Sequence, residues 1–368
     1  MGFFNFFTQN IGIDLGTSNT LVYVNDKGII VNEPSVVAIK VSSNTVCAVG
    51  SEAKAMLDRT PKTINAIRPL QNGVIADFEI TRAMIKYFID KALNHRKFTK
   101  SNIVICVPVG VTSIERRAVE EVAYDSGARK VKLVEEPMAA AIGAGLPVHE
   151  AIGNMIIDIG GGTTEIAIVS LGGIVVSDSL RIAGDDIDSN IKEYIKLKYK
   201  MEIGLVSAEN IKKIIGNASS DFYDKKIKNK ENKENKTDKE GKEVKENKEE
   251  NASQEVAVSE NNAREMQIRG RDIVSGLPTS ITITSEEIKT AIIETVNNIV
   301  SAIKRVLERT PPELAADLYE NGIYLTGGGA LLKGLDIYIE KETGLKVHVA
   351  DNPLHCVALG AGKICENM

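Results

Sequence analysis

The sequence predicts an α/β protein made of two related halves that face a shared cleft. Strand and helix signals alternate along the 368 residues, one strand–turn–strand motif occurs twice, and both copies carry an Asp-x-Gly turn of small residues. A chain this long exceeds the usual single core, so two domains are expected. Apolar residues make up 43% and charged residues 26%, which is ordinary globular composition and excludes wholesale disorder. With 45 Lys and Arg against 50 Asp and Glu, the formal charge of −5 gives no reason to expect nucleic acid as a partner.

At the N-terminus, Phe3, Phe4, Phe6 and Phe7 are half of the eight phenylalanines. On a helix they fall within an arc of roughly 160°, so one face suits a lipid interface; packing on the protein's own surface is the alternative. Polar Thr8-Gln9-Asn10 follows at once, unlike a signal peptide, and Phe6 stands where myristoylation wants Ser or Thr. No apolar run reaches the roughly 18 residues of a spanning helix. Cys47, Cys106, Cys356 and Cys365 show no CxxC spacing and read as reduced, mostly buried thiols. The expectation is a cytoplasmic protein, neither secreted nor integral.

The first motif copy, Asn10 to Val24, reads N-I-G-I-D-L-G-T-S-N-T-L-V-Y-V. A strand over Ile103 to Val109 precedes a helix that opens with a capping box, Thr112 and Glu115, and stops at Gly127. After a strand at Val131 to Val134, Pro137 sits where the first residue of another helix is expected. The second copy, Asn154 to Ile168, reads N-M-I-I-D-I-G-G-G-T-T-E-I-A-I, about 144 residues after the first. From Asp221 to Glu250, ten Lys and ten Asp or Glu alternate with Asn, and burial cannot offset the ordering entropy of such a segment. Thr284 and Glu287 cap a long helix running to about Arg309, which Pro311-Pro312 ends. Thr326-Gly327-Gly328-Gly329-Ala330 follows a strand and is expected to open a helix at Leu331.

A turn without side chains lets backbone N–H groups surround a polyphosphate. Gly16-Thr17-Ser18-Asn19 and Gly160-Gly161-Gly162-Thr163 both qualify, with hydroxyls from Thr17, Ser18 and Thr163. One Asp-x-Gly turn alone reads as a plain hairpin; the matched pair points to a nucleotide. Asp14 and Asp158 precede the turns, and two carboxylates beside phosphate call for a cation such as Mg²⁺ between them. The absence of GxxxxGK[ST] excludes a Walker-type site. Glu136, just before Pro137, is a candidate to position an attacking water, or else a helix N-terminal acid. Glu209 and Lys212 share a helix face and alone read as a surface ion pair.

D-L-G-T-S-N-T, E-E-P-M-A-A-A-I-G-A-G, D-I-G-G-G-T-T-E-I-A and T-G-G-G-A-L-L are similar to the two phosphate, connecting and adenosine motifs of the actin, DnaK-type chaperone and sugar-kinase superfamily. With N-E-P-S-V-V-A-I, I-R-P-L-Q-N-G-V-I-A-D-F and I-E-R-R-A-V, the chain from Asn10 to Lys363 resembles the MreB family of rod-shape-determining bacterial actins. It departs at the insertion of residues 219–263, where the family has a short loop. The resemblance implies an actin-like, duplicated ribonuclease H-like fold. Residues 1–145 would form the first lobe, with a small subdomain near 33–65. Residues 146–350 would form the second, with a small subdomain near 182–270, and residues 351–368 a helix returning to the first. It implies ATP and Mg²⁺ as cofactors, with Asp14 and Asp158 beneath the metal, largely through water. Gly16 to Asn19 and Gly160 to Thr163 would touch phosphates; Glu209, Asn210, Ile211, Lys212, Gly327, Gly328, Gly329, Ala330 and Leu331 would face the adenosine; Glu136 would align the water. Homopolymeric filaments on the inner membrane face, working with cell-shape and wall-synthesis proteins, are implied too. So is lipid contact by a hydrophobic loop, read here as Phe98 among Lys91, His95, Arg96, Lys97 and Lys100. A paralogue of the Mbl type, or a non-polymerising ATPase of the sugar-kinase or chaperone class, is the alternative.

Overall fold

A computed structural model of the protein describes residues 8–93, 100–222 and 264–368. Phe3, Phe4, Phe6, Phe7 and Phe98 lie outside these, as do residues 223–263 of the insertion. The first sheet begins with the meander β1 (Thr8–Leu15), β2 (Asn19–Val24) and β3 (Gly28–Pro34). A smaller sheet follows, of β4 (Val37–Lys40), β5 (Thr45–Val49) and β6 (Ile64–Ile67), carrying α1 (Ser51–Met56). After the hairpin β7 (Leu70–Gln71) and β8 (Val74–Ile75), the chain returns through α2 (Phe78–Ala92) to β9 (Lys100–Val107). It then passes α3 (Ser113–Asp125) to β10 (Ala128–Glu135), giving the order β10-β9-β1-β2-β3.

Helix α4 (Glu136–Gly143) leads to a second meander of β11 (Asn154–Ile159), β12 (Thr164–Ser170) and β13 (Gly173–Leu180). A smaller sheet of β14 (Met201–Glu202), β15 (Glu265–Asp272) and β16 (Pro278–Thr284) is flanked by α5 (Gly184–Tyr199), α6 (Leu205–Ile215) and α7 (Ser285–Glu308). Helix α8 (Pro312–Asn321), β17 (Ile323–Thr326), α9 (Leu335–Thr343), β18 (Val347–Val349) and α10 (Cys356–Glu366) complete the chain. The second large sheet has the order β13-β12-β11-β17-β18. Both large sheets follow one plan: an antiparallel meander with two parallel strands added beside its first strand. The repeated motif is therefore the first hairpin of each of two lobes, and the fold is α/β.

Local chemistry accounts for the helices. The Thr112 and Glu115 capping box opens α3, and the one of Thr284 and Glu287 opens α7, as their spacing predicts. Along α7, Ile288, Ile292, Val296, Ile299, Ile303 and Val306 recur every three or four positions and are buried, each worth about 1.5–3 kcal/mol against exposure. Pro311-Pro312 does end α7, but Pro312 also opens α8, because its missing N–H costs nothing in a first turn. The glycine cluster differs from expectation: Gly328–Leu331 forms a short 3-10 turn, and the α-helix starts only at Leu335, after Gly334 in the left-handed region. Lys91 is not in a loop. It sits in the last turn of α2 and pairs with Glu33 at 2.5 Å. Cys106, Cys356 and Cys365 are buried free thiols and Cys47 is exposed. Among the described residues, no helix is long and apolar enough to cross a membrane.

The helix that carries Glu136 is held by an unusually close crossing. A Cβ on Gly143 would lie 1.8 Å from the Cys356 carbonyl oxygen, and one on Gly360 would lie 1.8 Å from that of Ala139. Glycine at these two positions lets α4 and α10 touch backbone to backbone, which sets the start of α4 at the cleft floor.

Candidate nucleotide site

Both Asp-x-Gly turns, the start of α4, the first turns of α5, one face of α6 and the Gly327 to Gly329 turn line one cavity of about 310 Å³. That volume is within the usual range for small-molecule sites. The two phosphate-sized turns abut each other. A Cβ on Gly161 would lie 2.3 Å from Ser18 Oγ, and one on Gly162 would lie 2.7 Å from Thr17 Oγ1. Thr17 Oγ1 accepts from the Gly73 N–H at 3.0 Å, and the Gly160 and Gly161 carbonyls accept from the N–H groups of Gly184 (3.2 Å) and Asp185 (2.8 Å). The second turn thus rests on the start of α5.

The inner end of the cavity is acidic. Burial, reinforced by the like charge of Asp158, pushes the Asp14 carboxyl up to about 8. Burial also raises Asp158, but the Thr326 hydroxyl donates to its Oδ1 at 3.0 Å and holds it at about 6. Glu136, 7% exposed, is pushed well above the usual carboxylate range by burial and by Glu165, Asp14 and Asp158. Glu165, fully buried on β12, is raised to about 7 by burial, against hydrogen bonds from the Ser179 hydroxyl and the Val109 N–H. Charged carboxylates this crowded call for a cation, and a hydrated divalent ion between Asp14 and Asp158 fits the donor set.

The outer end is paired instead. Lys212 Nζ lies 2.8 Å from Asp188 Oδ1 and donates to the Gly184 carbonyl. Burial would raise Glu209, yet Lys213 and Lys54 bring it down to about 2. Lys54, on α1 of the opposite lobe, meets Glu209 at 2.9 Å across the cleft.

A family model for MreB/Mbl protein matches residues 8–255 and 241–368. The chain belongs to the MreB/Mbl family. It is 47% identical over 362 residues to the cell shape-determining protein Mbl of Bacillus subtilis, covering 98% of this chain and 97% of that protein. It is also 47% identical over 366 residues to the cell shape-determining protein MreB of Escherichia coli K12, covering 98% and 94%. Among solved structures, MreB5 of Spiroplasma citri bound to AMPPNP superposes with a TM-score of 0.80 at 37% identity, over 97% of this chain and 95% of that one. The MamK double helical filament superposes with a TM-score of 0.74 at 20% identity, over 98% and 99%, and shares the actin-like fold.

Of the residues that the resemblance to this family singled out, Asp14, Gly16 to Asn19, Glu136, Asp158, Gly160 to Thr163, Glu209, Lys212, Gly327 to Gly329 and Leu331 all line the cavity. Asn210, Ile211 and Ala330 do not. On α6, Asn210 turns into solvent and Ile211 into the core, since only positions three or four apart share the Glu209 face; Ala330 is buried in the second lobe. The third glycine cluster has a structural reason besides the cavity: a Cβ on Gly327 or Gly329 would collide with Ile159. Sequence reading missed Asp185, Asp188 and Lys213, as well as Pro353 and Leu354, which line the cavity too. The run G-D-D-I-D after a strand was the available signal for the two acids.

Proposed function

We propose that this chain binds ATP with Mg²⁺ in the cleft and hydrolyses it. We further propose that it polymerises into filaments on the inner face of the cell membrane, which determine rod shape by organising cell-wall synthesis. One observation carries the nucleotide reading: two Asp-x-Gly turns from two lobes meet in one cavity whose inner carboxyls find no countercharge among the described residues. The AMPPNP bound to MreB5 of Spiroplasma citri supports it, as do the cell shape-determining relatives at 47% identity.

In this reading Gly16 to Asn19 and Gly160 to Thr163 cradle the phosphates. Glu209, Lys212, Gly327 to Gly329 and Leu331 flank the adenosine. Asp14 and Asp158 hold the metal through water. Mg²⁺, when bound, would neutralise phosphate charge and relieve the repulsion between these carboxyls. Glu136 stands at the acidic end, where a carboxyl of raised proton affinity suits the positioning of a water. The lobes correspond to residues 1–145 and 146–350, with residues 351–368 returning to the first. Phe3, Phe4, Phe6, Phe7 and Phe98 provide weak lipid anchors that polymerisation multiplies.

Phosphate release and electron microscopy with ATP on anionic lipid test the proposal together. Turnover unaffected by hexoses or peptides, with protofilaments on the lipid, is the expected result. A uniformly monomeric ATPase would instead favour the kinase or chaperone class. Replacing Phe3, Phe4, Phe6 and Phe7 with Ser is expected to reduce liposome co-sedimentation of filaments while ATP binding stays the same. Equal sedimentation would remove the N-terminal anchor from the reading.

A further inference from the structure

We propose that Arg68 is a positioning residue of the phosphate site, neutralising Asp185 so that a carboxylate can stand beside the first phosphate turn. The inference rests on the nucleotide reading above. Arg68 belongs to the segment I-R-P-L-Q-N-G, between β6 and β7, and does not line the cavity itself. Its Nη1 donates to both oxygens of Asp185 at 2.9 Å and lies 3.4 Å from Ser18 Oγ, which in turn donates to Asp185 Oδ1 at 3.3 Å. Asp185 does line the cavity, and its N–H holds the Gly161 carbonyl. One acid in the first turn of α5 therefore touches both phosphate turns at once.

A bare carboxylate there would repel any polyphosphate. The same wall carries Asp188 and Glu209, and each has its own base: Lys212 for Asp188, Lys54 and Lys213 for Glu209. Arg68 completes that pattern for Asp185. Like Lys54, it reaches across from the first lobe, so the charge that makes the wall compatible with phosphate also spans the two lobes. Without Arg68, Asp185 keeps its geometric role at Gly161 and Ser18 but presents an uncompensated negative charge.

The test is equilibrium binding of ATP, ADP and adenosine to the full chain at fixed salt. Parent protein that fails to bind ATP would defeat the nucleotide reading itself. Given parent binding, Arg68→Gln is expected to weaken ATP about tenfold, ADP less and adenosine by less than about twofold, because the penalty scales with ligand charge. Adding Asp185→Asn to Arg68→Gln should bring ATP affinity back to within about threefold of the parent, since the repelling charge is gone. Equal weakening of adenosine and ATP, or no recovery in the double variant, would make Arg68 merely structural and overturn the inference. Should Arg68→Gln fail to fold, Asp185→Asn alone decides. Leaving the Arg68 charge unopposed, it should tighten ATP about threefold, and weaker binding would refute the proposal.

Discussion

Asp14 and Asp158 each stand one residue before the end of the first strand of the same motif, yet they hold their protons differently. Asp158 accepts the Thr326 hydroxyl at 3.0 Å and rests at about 6, whereas burial and the neighbouring Asp158 drive Asp14 to about 8. The turns that follow differ in the complementary way. The first, Gly16-Thr17-Ser18-Asn19, carries side chains; the second, Gly160-Gly161-Gly162-Thr163, has none at the two positions where Ser18 and Thr17 press against it. A duplicated backbone whose copies meet face to face cannot keep identical side chains. One copy supplies the knobs and the other must leave room for them.

On the proposed reading Glu136 serves the chemistry and not the binding at these turns, and its loss has the largest expected effect. Glu136→Ala should slow phosphate release about a hundredfold while leaving ATP affinity within about twofold, because positioned acid–base groups contribute on that scale. Equal loss of both, in a titration and a phosphate-release assay run side by side, would make Glu136 structural.

The packing between the turns comes next. Gly161→Ala places a Cβ 2.3 Å from Ser18 Oγ. Overpacking of this kind should cost about 1–3 kcal/mol, visible as a lower melting temperature and weaker ATP binding. Ser18→Gly in the same chain should recover the melting temperature. If it does not, the turns do not constrain each other as described.

The pH response distinguishes the two acids. Folding raises Asp14 from its ordinary 3.8 to about 8, so the folded nucleotide-free protein keeps a proton that the unfolded chain releases. This contribution to stability is present below pH 4 and is lost as pH rises towards 8. Asp14→Asn should flatten that decline in melting temperatures recorded across the window. On the proposed reading, binding of Mg²⁺ with nucleotide should run the opposite way, tightening as pH rises through the same range, because Asp14 and Asp158 would hold the metal as carboxylates. The smallest effect is expected from Thr326→Val. Removing one hydrogen bond to Asp158 should cost about 1–2 kcal/mol and raise its titration, followed by carboxyl NMR, towards that of Asp14.

Much of this was legible in the chain because it depends on near neighbours. A capping box joins residues three apart, a proline in a first turn needs only itself, and an Asp-x-Gly hairpin closes within a few positions. The 3.6-residue period of α6 likewise contained the reason why Glu209 and Lys212 face the cavity while Asn210 and Ile211 do not. The repeat is also visible in the sequence without gaps, which is enough to predict two halves and a cleft. What no local pattern carried was how the halves complement each other. Arg68 meets Asp185 from 117 positions away, Lys54 meets Glu209 from 155, and Thr326 reaches Asp158 from 168. Nor did the run of three glycines at 160–162 disclose that two of them yield space to Thr17 and Ser18 of the other copy. Charge balance and steric fit across the cleft arise only once both sheets are docked through α4 and α10, because Coulomb and contact forces depend on distance in space and not on separation along the chain.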